Sequence, residues 1–445
     1  MPRRHALRHP ARVVPLAFLA TIVIGTVLLM LPISRSGPGA APLVTALFTS
    51  TSAVCVTGLI VVDTPTYWSG FGQGVILALF QVGGFGIMAL ATLLGVLVAR
   101  RLGLYTRLLA QAETKTLALG EVRGVLGRIG FTFFIVEASV ALILSLRFSL
   151  GYGMSPGKAT WHGVFHAVSA FNNAGFSVNT DSLMRYAADP WVNLPVIVAV
   201  IIGGLGFPVL FELRRELRKP GRWSMHTKIV LLATALLLPL GAIAVLVLEW
   251  NNPGTLGPRG VLEKVLAALF QSVTSRTAGF NTIDTGALEP ATLLVTDMLM
   301  FIGGGSASTA GGIKVTTFLL LAFVIWAEVR GEPDVHIFNR RLMTGVQRQA
   351  LTIALLGVAF VAAGTLSLQL LTDHTMDKLL FEAISAFATV GLSTGITGTL
   401  GTGAQLVLVI LMYVGRVGSV TVGAALALRS RRRLYRLPED RPIVG

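Results

Sequence analysis

Four strings in this 445-residue sequence approach a glycine in a similar way. They are Ser52-Ala-Val-Cys-Val-Thr-Gly58-Leu, Ser169-Ala-Phe-Asn-Asn-Ala-Gly175-Phe, Val273-Thr-Ser-Arg-Thr-Ala-Gly279-Phe and Ser385-Ala-Phe-Ala-Thr-Val-Gly391-Leu. Ten residues before each glycine stands Phe48, Phe165, Leu269 or Phe381. The tips carry small, hydroxyl and amide side chains and no acid–base pair, so what they offer is mainly main-chain carbonyl oxygen. Rings of carbonyls replace the hydration shell of a potassium ion, and glycine at the narrow point lets backbone come close to it. Asn172, Asn173, Thr277 and Thr389 are suited to holding such loops by hydrogen bonds. Glycines that only let helices pack closely are the alternative.

The spacing decides between the two. The glycines lie 117, 104 and 112 residues apart, close to one quarter of the chain. One unit is therefore repeated four times in tandem, in the same orientation. A shorter helix-like segment precedes each string, near 42–51, 160–168, 261–273 and 378–386. Segments of about 10–14 residues are too short to span a bilayer and suit re-entrant helices. Irregular backbone at that depth is tolerated only where protein buries it or it lines a wet cavity.

The flanking elements are apolar spans. The chain is 53% hydrophobic and only 13% charged, with mean hydropathy +0.74, against about 25% charged residues in soluble proteins. Those values exclude a soluble enzyme and a disordered chain. Eight spans are expected at about 13–32, 74–98, 129–149, 191–211, 229–250, 293–326, 350–371 and 404–428. The first is read as an uncleaved helix rather than a signal peptide. Basic residues concentrate at 1–13, 100–128, 212–228, 330–348 and 429–445, which hold 26 of the 36 Lys and Arg. The positive-inside rule makes these stretches and both termini cytoplasmic. The expected fold class is an all-α integral membrane protein of four helix–pore-loop–helix units, eight spanning helices plus four re-entrant ones, around a pseudo-fourfold pore. The units are 1–115, 116–220, 221–340 with an interrupting loop at 303–314, and 341–445 with a short basic cytoplasmic tail.

The interrupted sixth span is the second chemically suggestive feature. Residues Gly303, Gly304, Gly305, Ser306, Ser308, Thr309, Gly311, Gly312 and Lys314 fall inside it, and each interior glycine costs about 1 kcal/mol of helix stability. The spacing is not that of a phosphate-binding loop. A polar flap crossing the pore below the four loops is the preferred reading. Arg416 stands mid-span, where burying a charge costs about 2.5–3.5 kcal/mol, and should face a wet pore or a partner. The structural alternatives for it are pairing with Asp297 or Glu137. Arg276, beside the third loop, is expected to point away and pair with Glu382 or Asp284. Lys314 either holds the flap or snorkels to the cytoplasmic edge.

Other chemistries are poorly provided for. His162 and His166 share a helix face but lack the His-Glu-x-x-His pattern of a zinc site. No Gly-x-Ser-x-Gly elbow occurs. Cys55 is the only cysteine, which forbids an internal disulfide. No Rossmann fingerprint follows a strand, and the cytoplasmic pieces are too short for a nucleotide-binding domain. A proton-coupled carrier of an organic solute is the competing class, but it would be expected to show carboxylate or His relays, and only Glu137 and Asp297 qualify.

Phe171-Asn-Asn-Ala-Gly-Phe176, Ser275-Arg-Thr-Ala-Gly-Phe-Asn281 and Gly303-Gly-Gly-Ser-Ala-Ser-Thr-Ala-Gly-Gly-Ile-Lys314, on the fourfold unit, resemble the Trk/Ktr/HKT superfamily of potassium transporters. Eight spans make the chain most similar to its KtrB-type branch. The resemblance implies potassium uptake across the cell membrane and a selectivity filter at Val56, Thr57 and Gly58; Asn173, Ala174 and Gly175; Thr277, Ala278 and Gly279; and Thr389, Val390 and Gly391. It implies that 303–314 is an intramembrane gating loop with Arg416 against it as an electrostatic barrier, and Arg416 is then expected to donate to carbonyls or hydroxyls of 303–312. It further implies a homodimer in membrane lipid, a cytosolic KtrA/TrkA-like ring of nucleotide-binding subunits and, in many members, sodium dependence. No organic cofactor, resident metal or nucleic acid is implied. The sequence departs from the longer Thr-Val-Gly-Tyr-Gly string of potassium channels, which points to fewer ordered ion sites, while Gly58 favours potassium over sodium.

Overall fold

A computed structural model describes residues 10–101 and 119–428. The regular structure is almost wholly helical, with fifteen α-helices among the described residues. Taken by the expected units, the first holds α1 (Pro10–Met30), α2 (Leu43–Val54), the single turn α3 (Thr64–Tyr67) and α4 (Gly70–Arg101). The second contributes α5 (Leu119–Tyr152), α6 (Pro156–Phe171), α7 (Pro190–Leu205) and α8 (Phe207–Glu216). The third contains α9 (Met225–Glu249), α10 (Val261–Thr274), α11 (Pro290–Phe301) and α12 (Val315–Val329). The fourth contains α13 (Thr344–Leu371), α14 (Met376–Ala388) and α15 (Thr402–Leu428). A two-stranded hairpin, β1 (His336–Ile337) with β2 (Arg340–Arg341), lies between α12 and α13.

Helices occur at every expected span and at every expected short segment. Residues 127–152, 225–249 and 344–371 are individually long and apolar enough to cross a membrane, and only about a third or fewer of the residues in their most apolar windows are buried inside the protein. Their outward faces are apolar, with Phe134, Leu240 and Leu355 exposed. Such apolar surface is stable against lipid and not against water.

The short helices are buried instead. Phe48, Phe165 and Phe381 are fully enclosed, and Leu269 packs at the edge of the core. The second span of each unit packs on the short helix of the next: α4 on α6, α7 on α10, α11 on α14, and α15 on α2. The last contact joins the fourth unit to the first, and Tyr413 Oη donates to the Pro15 carbonyl at 2.8 Å across the same seam.

One expectation is corrected. The fourth span, expected as one element over 191–211, is broken at Gly206, and α8 leaves α7 at 100°. Gly206 has φ +90, a conformation other residues resist, and Pro208 follows inside the first turn of α8. Hydropathy is blind to such a break. The sixth span is interrupted between α11 and α12, as its glycines predict. At the same end of the molecule as α8, Ile229, Ala327, Val335, Ile337 and Leu342 form a small separate core. It brings together the basic stretches 212–228 and 330–348. The stretches 1–9, 102–118 and 429–445 lie outside the described residues, as does the basic tail.

Candidate functional site

Each short helix ends at its glycine string, so its carbonyl end, the negative end of its dipole, sits at the loop. The loop then folds back on that helix. Thr57 N donates to Ser52 O at 2.7 Å, Ala174 N to Ser169 O at 2.8 Å, and Val390 N to Ser385 O at 2.8 Å. In the third loop the register moves by one residue, and Ala278 N donates to Thr274 O at 2.9 Å. The hydroxyls complete the fold. Ser52 Oγ and Ser385 Oγ accept from Gly58 N and Gly391 N, both at 3.1 Å. Ser169 Oγ donates to Phe176 O at 2.8 Å and Thr274 Oγ1 to Phe280 O at 2.6 Å. These four hydroxyls went unassigned in the sequence reading. Their signal was a serine six residues before the glycine in three of the four strings.

The backbone alternates in hand. Val56, Asn173, Thr277 and Thr389, two residues before each glycine, have φ between +51 and +78, and the glycines themselves lie between +70 and +96. The residues between them do not have positive φ. Alternating handedness turns successive peptide groups to one side. Positive φ at the β-branched Val56, Thr277 and Thr389 carries strain of about 1–3 kcal/mol each, the kind of outlier that clusters at functional sites.

The four tips meet in a closed order. A methyl group added to Gly58 would lie 2.4 Å from Ala174 O, one on Gly175 2.9 Å from Ala278 O, one on Gly279 2.4 Å from Val390 O, and one on Gly391 2.1 Å from Thr57 O. Each glycine thus faces the carbonyl just before the next loop's glycine, and the fourth returns to the first. Of the twelve residues named from the four strings, all are buried except Gly391, which is half-buried.

Side-chain support is uneven. Asn172 Nδ2 donates to Gln81 Oε1 at 2.5 Å, Glu137 Oε1 at 3.1 Å and Val168 O at 2.9 Å. Gln81 Nε2 donates to Glu137 Oε2 at 3.1 Å. Glu382 braces the chain after the fourth loop, accepting from Ser393 Oγ at 2.5 Å, Thr394 N at 3.0 Å and Thr397 Oγ1 at 2.7 Å. The Thr389 hydroxyl, expected to tether its loop, is buried with no hydrogen-bond partner.

The interrupting loop lies against this ring. Its ends are joined by Gly303 N to Ile313 O at 2.8 Å and Val315 N to Gly304 O at 3.0 Å. Its middle is clasped by the break in the second unit. Gly305 N donates to Gly204 O at 2.8 Å, Thr309 N to Gly203 O at 3.2 Å, and Phe207 N to Ala307 O at 3.1 Å. Ser308 Oγ donates to Gly305 O at 2.6 Å, and the Ser306 and Thr316 hydroxyls bond at 2.9 Å. Thr309 Oγ1 reaches Phe171 O and Asn173 Oδ1, both at 3.3 Å. Gly311 lies so near the fourth loop that an added methyl would be 1.8 Å from the Thr389 hydroxyl, and Gly312 lies against Ala388. The loop therefore touches the second and fourth strings, which are opposite members of the ring.

Three cations surround this loop; the expected pairing of Arg276 is corrected, and for Arg416 the carboxylate alternatives give way to the expected contact with a carbonyl of 303–312. Arg416, 1% exposed, donates from Nη1 to Thr309 O and from Nη2 to Gly83 O at 3.4 Å. It pairs with neither Asp297 nor Glu137. Arg276 donates to Gly303 O at 3.4 Å, and its Nε has no partner. It lines a small cavity of about 20 Å³ with Gly204, Leu205, Thr234 and Gly304. Glu382 is occupied as described, and Asp284 accepts from Gly286 N at 2.9 Å, so neither is its partner. Lys314 Nζ donates to the Ala310 carbonyl instead of reaching outward. Carbonyl oxygens take the place of carboxylates around all three. Elsewhere, His166 Nε2 bonds the Ser177 hydroxyl at 2.9 Å, and Cys55 is buried.

Comparison with known proteins bears on what this arrangement does. A family model described as "TrkH: Cation transport protein" matches residues 3–431. The Ktr system potassium uptake protein B of Bacillus subtilis is 41% identical over 437 residues, covering 98% of this chain and 97% of its own. The potassium/sodium uptake protein NtpJ of Enterococcus hirae is 35% identical over 446 residues, covering 98% and 97%. The crystal structure of the potassium transporter TrkH from Vibrio parahaemolyticus superposes with TM-score 0.67 at 20% identity, over 93% of this chain and 86% of that one. At that identity the likeness is one of fold.

Proposed function

This chain belongs to the TrkH family of cation transport proteins, and we propose that the ions it carries cross the membrane through the ring of four glycine loops. It is a membrane protein and a potassium uptake transporter of the Ktr/Trk type, not an enzyme. One observation carries the filter reading. Four strained, same-handed loops bring Gly58, Gly175, Gly279 and Gly391 into a closed order in which each lies against the next loop's carbonyl. Val56, Thr57 and Gly58, with their counterparts Asn173–Gly175, Thr277–Gly279 and Thr389–Gly391, supply the carbonyls that replace the hydration shell of potassium. The four units 1–115, 116–220, 221–340 and 341–445 each contribute one loop.

The segment 303–314 is the gate. It lies against opposite members of the ring, and Arg416 holds it by the Thr309 carbonyl while placing a positive charge in the path of a cation. Sodium is a second transported or coupling ion, a reading supported by the name of the Enterococcus relative. The relatives' designation as one protein of a system supports a multi-component assembly. Within it the chain works as a homodimer in the cell membrane, with both termini cytoplasmic, on a nucleotide-binding ring that docks at the basic stretches.

Rubidium uptake in a bacterial host lacking its own potassium uptake tests the reading. Expression with a nucleotide-binding ring subunit should restore growth at low potassium and produce saturable rubidium entry. Absence of rubidium entry with both proteins in the membrane, together with proton-driven entry of an organic solute, would favour the carrier instead.

A further inference from the structure

The four residues in left-handed conformation do not share one kind of support. Val56 has no polar side chain, and the Thr389 hydroxyl has no hydrogen-bond partner. Only Asn173 and Thr277 are tied by their side chains, and they are tied to each other: Asn173 Nδ2 donates to Thr277 Oγ1 at 3.3 Å. The amide is in turn held at its other end. Its Oδ1 accepts from Thr309 Oγ1, also at 3.3 Å, and that hydroxyl proton is shared with Phe171 O. A line of side chains thus runs from the interrupting loop through the second string to the third. On the third string, Arg276 returns to the loop through Gly303 O at 3.4 Å.

These bonds are long and hence weak, while the backbone they hold at Asn173 and Thr277 is strained. An amide deprived of its hydroxyl donor is free to turn over, which removes the donor that faces Thr277. Resting on the reading of 303–314 as the gate, we propose that Thr309 couples gate to filter, so that potassium-over-sodium discrimination is tightest while the loop is seated and loosens when it withdraws. Thr309 is here a positioning residue: it touches the filter's side chains, not the ion.

The test measures initial rubidium and sodium uptake, per amount of transporter in the membrane, for the full chain. The variants are Thr309→Val, which keeps shape and removes the donor, Thr309→Ser, which restores it, and a deletion of residues 305–310. Thr309→Val should lower the rubidium-to-sodium ratio by about three- to tenfold, the factor one net hydrogen bond carries, and Thr309→Ser should keep it. The deletion should raise rubidium flux and lower the ratio as far as Thr309→Val or further. A deletion that raises flux with the ratio unchanged overturns the coupling and leaves the gate standing. A deletion that fails to raise flux overturns the gate reading itself. A Thr309→Val protein with an unchanged ratio overturns the coupling, and should that variant not reach the membrane, the ratio of the deletion decides.

Discussion

The ring of four loops and the segment 303–314 are both irregular backbone within a membrane protein, but they are secured in opposite ways. Each ring loop returns its amides to the carbonyls and hydroxyls of its own short helix, within about one turn of chain. The segment closes its two ends on each other, but its middle is held from elsewhere: by Gly203, Gly204 and Phe207 in the second unit, and by Arg416 in the fourth. Locally closed backbone is hard to displace without unfolding the helix that carries it. Backbone bonded to distant elements moves when those elements move, and draws on the low-stability end of the structure. The contrast separates a fixed site from a movable one.

Removing the charged side chain that holds the loop should have the largest effect on flux. Two like unit charges ~8 Å apart repel by about 2 kcal/mol at an effective dielectric of ~20, so Arg416→Ala should raise rubidium flux about tenfold or more. Unchanged or lower flux at normal membrane abundance would remove the charge barrier from the account. Next comes the clasp. A methyl at Gly206 would meet Ser306 O at 2.5 Å, on a residue with φ +90, a strain of about 1–3 kcal/mol. Gly206→Ala should therefore loosen the loop and raise flux several-fold, and a proteolysis or cysteine-accessibility assay on the loop should report greater exposure. Reduced flux with an unexposed loop would mean that the break serves only the packing of α7. The smallest effect belongs to the ring's own bracing. Ser385→Ala removes one acceptor worth about 0.7 kcal/mol, and should cut rubidium-over-sodium discrimination by about threefold without changing loop exposure. Equal effects of Ser385→Ala on loop exposure and on discrimination would erase the distinction between the two regions.

The ring was legible in the sequence because its signal is periodic: one glycine per quarter of the chain, each behind a segment too short to span. The interruption of the sixth span was legible because five glycines within 303–312 are incompatible with a stable helix. The break at Gly206 was not, since glycines in an apolar run, here Gly203, Gly204 and Gly206, also suit closely packed helices, and the conformation of Gly206 is set by contact with a segment 100 residues away. Arg416 was expected to donate to carbonyls or hydroxyls of 303–312 and donates to Thr309 O, but the partner of Arg276 was missed for a different reason. The reading paired that charge with a carboxylate, whereas the buried guanidinium group bonds a main-chain carbonyl that only irregular backbone leaves available. The unpartnered Thr389 hydroxyl shows the same limit from the other side: having the right group at the right offset in a repeat does not give it a neighbour.

The most direct test of the central claim, that the glycine ring selects the ion, is rubidium uptake with sodium as competitor for the unaltered chain and for Gly391→Ser. The side chain added at Gly391 would begin 2.1 Å from the Thr57 carbonyl at a residue with φ +96. Strain of about 1–3 kcal/mol in the ring should reduce discrimination by about one to two orders of magnitude, with sodium entering or transport lost. A Gly391→Ser protein that reaches the membrane and discriminates between the two ions as the unaltered chain does would contradict the assignment of the ring as the filter.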